Sequence, residues 1–265
     1  MSPGEPYVRS AGTGPGVVCL HANASTSGQW RGLIERLSGR YRVLAPDSYG
    51  AGKSPDWPSD RVISLQDEAA FVEPVFAAAG TPFTLVGHSY GAAIALRAAL
   101  DSPRRVRALA VYEPTLFALI DAESPPPNGA DGIRATVAAG VAALEGGNRD
   151  AAAERFIDYW MGSGAWRSMP PERKPAIAAS VVNMRRWAHA LLSERARLAD
   201  FRALDIPILY MTGKRSPESA REVARLLLSA LPRVTVREFE ELGHMGPVTH
   251  PAQVDEAIAT FIDAH

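Results

Sequence analysis

The stretch Gly87-His88-Ser89-Tyr90-Gly91 stands between the apolar run Phe83 to Val86 and a segment of helical period. A strand that turns at once into a helix lifts the hydroxyl at the corner above the carboxyl end of a sheet. The glycines belong there because the backbone bends sharply and side chains would collide with the neighbouring strand and helix. The start of the helix adds unpaired N–H groups and the positive end of a dipole, which suit negative charge developing on a carbonyl oxygen. A glycine-rich turn whose serine only caps the helix would have the same string without the chemistry.

A serine hydroxyl becomes a useful nucleophile when a base takes its proton. Six histidines are available: His21 ends a strand, His88 lies inside the corner, His189 lies in a helical stretch, His250 precedes Pro251, and His265 is terminal. His244 lies in "EELGHMGPVTHP", a Gly-flanked loop after the last apolar run, and such loops come to the carboxyl end of the sheet. It is the candidate general base. The base in turn needs an acceptor that fixes its tautomer. After "ILYMTG" the position before Pro217 is Ser216, and the nearest acid is Glu218. The preceding run "VRALAVYEP" ends in Glu113, and acids are depleted from buried strand positions, so Glu113 is preferred over Glu218.

The elements that must position these groups follow from the pattern. Apolar runs at Val17–Leu20, Tyr41–Ala45, Phe83–Val86, Val106–Tyr112, Pro207–Thr212 and Val234–Phe239 read as strands. Helices are expected at Gln29–Leu37, Ser64–Ala79, Ser89–Leu100, Pro217–Leu231 and Pro251–Ala264. Alternation of this kind implies a doubly wound, mostly parallel α/β sheet covered on both faces. From about Thr115 to Leu204 the alternation stops; after the break "SPPPNGADG" the sequence reads as helices only. The expected organisation is therefore a core of residues 1–114 and 205–265 with an inserted helical cap at 115–204.

With 265 residues, 46% hydrophobic and 22% charged, the chain can bury a full core. A net charge of -1 supplies no field for gathering nucleic acid or anionic lipid, so neither partner is expected. The single cysteine, Cys19 in "VVCL", excludes an internal disulfide and a multi-cysteine zinc site and reads as a buried strand residue. The start "MSPGEPYVRS" lacks the pattern of a secretory signal, and no apolar run reaches the ~20 residues needed to span a bilayer. The cytoplasm is the expected compartment. "GAGKS" is no phosphate loop, because Asp47 stands where its first glycine is required.

Together these residues resemble the α/β-hydrolase superfamily over nearly the whole chain. "HANAS" looks like its oxyanion segment, "YRVLAPDSYGAGKS" like its next strand and Gly-rich loop, "GHSYG" like its nucleophile elbow, and "LGHMGPVTHP" like its histidine loop. The order Ser89, Glu113, His244 agrees with the family's nucleophile, acid, base. Ser216 departs from the pattern at the family's common acid position; a minority of members, including some haloalkane dehalogenases, carry the acid where Glu113 falls. Those dehalogenases use Asp as nucleophile, which Ser89 replaces. Ala22 replaces the usual glycine after the strand-end histidine. By position, the resemblance implies oxyanion donors at the N–H groups of Asn23 and Tyr90.

The expected activity is hydrolysis of a small to medium ester or related carbonyl compound through a covalent acyl-enzyme, with no cofactor and no metal. The same groups serve carbon–carbon bond hydrolysis, lactone opening or perhydrolysis, and a silent ligand-binding receptor is the alternative of another class. His21, Leu116, Phe117, Trp160, Trp187 and Met245 are the expected substrate contacts in an enclosed apolar pocket. The assembly is expected to be a monomer or a homodimer.

Overall fold

The protein is described by a computed structural model over residues 4–265, so the first three residues of the expected core fall outside it. Seven strands form one sheet: β1 (Val8–Ala11), β2 (Gly16–Leu20), β3 (Arg42–Pro46), β4 (Phe83–His88), β5 (Val106–Tyr112), β6 (Ile208–Gly213) and β7 (Val234–Phe239). Their order is β1-β3-β2-β4-β5-β6-β7; β1 pairs antiparallel with β3 and every other pair is parallel. β2, β4 and β6 are buried at every position, as a strand covered on both faces must be. β7 exposes most of its residues and carries Arg237 and Glu238, charges that protect an open edge.

Helices α1 (Arg31–Leu37), α2 (Leu65–Phe71), α3 (Glu73–Ala79) and α4 (Tyr90–Asp101) connect the first strands. The single helix expected at 64–79 is two, because Pro74 has no N–H to donate one turn back and the chain leaves helical geometry at Val72. Between β5 and β6 come only helices: α5 (Ala118–Glu123), α6 (Asp131–Glu145), α7 (Arg149–Met161), α8 (Ala165–Ser168), α9 (Lys174–Ser180), α10 (Met184–Leu192) and α11 (Leu198–Arg202), with short 3-10 turns. α12 (Glu218–Ala230), α13 (Gly246–Thr249) and α14 (Pro251–Asp263) complete the chain. Leu33, Leu37, Val254 and Ile258 of α1 and α14 pack on one face of the sheet with Val17, Cys19 and Val86. The other face joins Leu85 and Val111 to α2, α4, α12 and the helices that follow β5. Among the described residues no helix is long and apolar enough to cross a membrane.

Candidate active site

Ser89 sits at the end of β4 with φ 55° and ψ -115°, a backbone region that L-residues avoid. The glycines of the corner are forced by close approach. A Cβ on Gly87 would strike the backbone of Ala92, and one on Gly91 would strike the carbonyls of Leu20 and His21. Ser89 makes no capping bond to α4, so its hydroxyl is left for another partner. Among the described residues, positive φ outside glycine occurs only at Ala24, Ser89 and Glu113, and all three lie at this end of the sheet.

His244 Nε2 lies 2.9 Å from Ser89 Oγ, and His244 Nδ1 lies 2.7 Å from Glu113 Oε2. The structure thus brings together Ser89, His244 and Glu113. Glu218 is exposed in the first turn of α12. The other oxygen of Glu113 accepts from Thr212 Oγ1 at 2.8 Å, Gly213 N–H at 2.7 Å and Ser216 Oγ at 2.6 Å. Ser216, which occupies the family's common acid position, therefore serves the acid borne by β5.

The histidine loop is anchored from below. Tyr112 Oη donates to the Gly243 carbonyl, and His88 Nε2 donates to the His244 carbonyl, each at 2.8 Å. His88 Nδ1 accepts from Gln29 Nε2 at 3.1 Å, and Gln29 Oε1 accepts from the Ala22 N–H at 3.2 Å. Burial first, and the charge of His244 second, hold His88 well below the usual histidine range, so it stays neutral in this role. Gln29 and His88 thus couple the Ala22–Asn23 turn to the His244 loop; Gln29 was expected only as the start of a helix, and no motif marked it as part of the site. Above His244 the indole of Trp160 stacks at 3.9 Å between ring centroids, 26° from parallel. An imidazolium formed there gains a cation–π contact.

Ser89, Asn23 and Thr115 supply the polar groups of a narrow cavity of about 30 Å³. Phe117, Trp160 and Trp187, three of the residues expected to contact substrate, line it with Ile133, Phe156 and Met184 from α6, α7 and the start of α10. Three expected contacts are elsewhere. His21 is buried beneath the loops: Nε2 accepts from Ser48 N–H and Nδ1 donates to the Ala22 carbonyl, so both nitrogens are used within the protein. Leu116 packs in the core. Met245 borders a separate, wider cleft of about 430 Å³ that Trp160 divides from the inner cavity.

Behind the corner lies a second buried acid. Glu68 of α2 accepts from Tyr90 Oη at 3.1 Å and Tyr49 N–H at 3.3 Å. Burial pushes its carboxyl up to about 8, against the pull of those two bonds. Burial also drives the Cys19 thiol far above its ordinary range, which leaves it an inert strand residue.

A parallel sheet with a strained serine corner, and a histidine and a carboxylate delivered by later strands, defines the hydrolase class of α/β proteins. Residues 17–257 match the model of the Alpha/beta hydrolase family, and the chain belongs to that family. It is 25% identical over 258 residues to a pimeloyl-[acyl-carrier protein] methyl ester esterase of Nitrosomonas europaea, covering 93% of this chain and 95% of that one. A haloalkane dehalogenase of Agrobacterium fabrum is 40% identical over 106 residues, which is 40% of this chain and only 34% of the dehalogenase. Among solved structures, an alpha/beta hydrolase from Sphaerobacter thermophilus superposes with a TM-score of 0.72 at 26% identity, covering 97% and 96% of the two chains.

Proposed function

We propose that this chain is a carboxylesterase that works through a serine acyl-enzyme, with residues 115–204 acting as a helical cap over the core segments 1–114 and 205–265. The observation that carries the reading is the unbroken line from Ser89 Oγ through both nitrogens of His244 to Glu113. His244 Nε2 takes the proton of Ser89 as the hydroxyl attacks the ester carbonyl. Glu113 holds the Nδ1–H tautomer and stabilises the imidazolium. The N–H groups of Asn23 and Tyr90 receive the oxyanion, Tyr90 being the first residue of α4 and so without an intrahelical acceptor. His244 then protonates the departing alcohol, and water activated by the same ring releases the acid. Ester hydrolysis also agrees with the similarity to the methyl ester esterase, which extends over nearly the full length of both chains. An acyl chain needs more room than the present cavity gives, so α6, α7 and α10 must part from the sheet to admit it.

The test is intact mass after incubation with a fluorophosphonate. Wild type should gain one adduct, Ser89→Ala none, and His244→Ala should label at least a hundredfold more slowly. A folded wild type that gains no adduct refutes the esterase reading, and ligand binding without turnover becomes the function to pursue.

A further inference from the structure

Thr115 borders the inner cavity, is 1% exposed, and its Oγ1 has no hydrogen-bond partner among the described residues. Apart from Thr115 itself, Ser89, Asn23 and the indole N–H groups of Trp160 and Trp187, the remaining side chains lining that cavity are apolar. A buried hydroxyl without a partner is costly, and Thr115 Oγ1 is closed off even from the cavity until the helices above it part to admit a substrate. A plain alkyl chain entering the widened cavity leaves the hydroxyl unpaired; a chain bearing an oxygen pairs with it.

The location also says which half of an ester is concerned. Ser89 and Asn23 border this cavity, while the loop flanking His244, including Gly243, Met245 and Gly246, borders the wider cleft beyond Trp160. The group that stays on Ser89 therefore occupies the inner cavity, and the alcohol protonated by His244 leaves toward the cleft. Resting on the serine-esterase reading, we infer that the preferred substrates are esters whose acyl chain carries a carbonyl or hydroxyl oxygen, bound by Thr115. Thr115 is a specificity-determining residue of this site.

The experiment compares p-nitrophenyl hexanoate with its oxo derivatives, the ketone moved stepwise along the chain, each rate divided by that of hydroxide on the same ester. In wild type at least one oxo ester should exceed hexanoate about tenfold in kcat/KM, the value of one neutral hydrogen bond. Thr115→Val, which keeps the shape and removes the hydroxyl, should bring that ratio to about one, and Thr115→Ser should retain it. A wild-type ratio of one for every oxo ester, or a ratio that survives in Thr115→Val, overturns the inference. Turnover of hexanoate with no oxo preference refutes only the role of Thr115. No turnover of any ester together with no Ser89 adduct refutes the esterase reading as well.

Discussion

Two glutamates are buried within one side chain of the Ser89 corner, and they are held in opposite ways. Glu113 receives four donors, from His244, Thr212, Gly213 and Ser216. Glu68 receives two, at 3.1 and 3.3 Å, and burial drives its carboxyl up to about 8, so it carries a proton at neutral pH. Both are essentially without exposure, at 0% and 1%. Two carboxyls of equal burial are thus held by different numbers of donors, and the one with four is the one that meets a histidine.

The most severe break in this comparison is Glu113→Gln. The amide removes the charge that pairs with His244 and offers a donor where Nδ1–H also donates, so kcat/KM should fall on the order of 10³–10⁴-fold. Glu218→Gln, at an exposed helix start, should stay within about twofold of wild type. Initial rates on one ester decide the matter, and equal rates for the two variants would remove Glu113 from the mechanism. Ser216→Ala comes next. It deletes one of the four donors and should lower kcat about tenfold while leaving KM nearly unchanged, since it acts on the ester only through Glu113 and His244. An unchanged kcat would mean that three donors hold the carboxylate as well as four.

The sheet and the placing of most candidate site residues were readable from the sequence for one reason. Strands buried on both faces are continuous apolar runs, and the groups proposed to react lie just past their ends, at Ser89, Glu113 and the loop of His244. What escaped depends on packing between distant elements. β1 is four residues, Val8 to Ala11, with the polar Arg9 and Ser10 side by side rather than alternating, and becomes a strand only by pairing with β3. Gln29 and His88 join two loops across the top of the sheet, and no local pattern marks such a bridge. His21, placed at a strand end like Ser89, was expected in the pocket, yet its ring turns under the loops and ties Ser48 to Ala22. A signal for Glu68 did exist: Leu65, Glu68, Ala69 and Val72 follow the i, i+3, i+4, i+7 spacing of one helical face, which places an acid among buried neighbours.

Glu68→Gln sharpens the comparison with the smallest effect on catalysis. The amide oxygen can still accept from Tyr49 N–H, and the amide remains within reach of Tyr90 Oη, so kcat should change less than about threefold. Stability responds differently. The unfolded chain releases the Glu68 proton near the ordinary value of 4.5, while the folded chain keeps it up to about 8. Between those values the native state binds more protons, so this group's contribution is fully present below the lower value and is lost as pH rises through the upper one. The loss approaches about 1.4 kcal/mol for each pH unit of that window and amounts to a few kcal/mol. Glutamine does not titrate and removes the slope. Urea unfolding at about pH 5 and about pH 9 should therefore show wild type losing a few kcal/mol more than Glu68→Gln across the same interval, all other groups being common to both proteins. Parallel losses would mean that Glu68 is ionised in the folded protein, and the contrast with Glu113 would then rest on geometry alone.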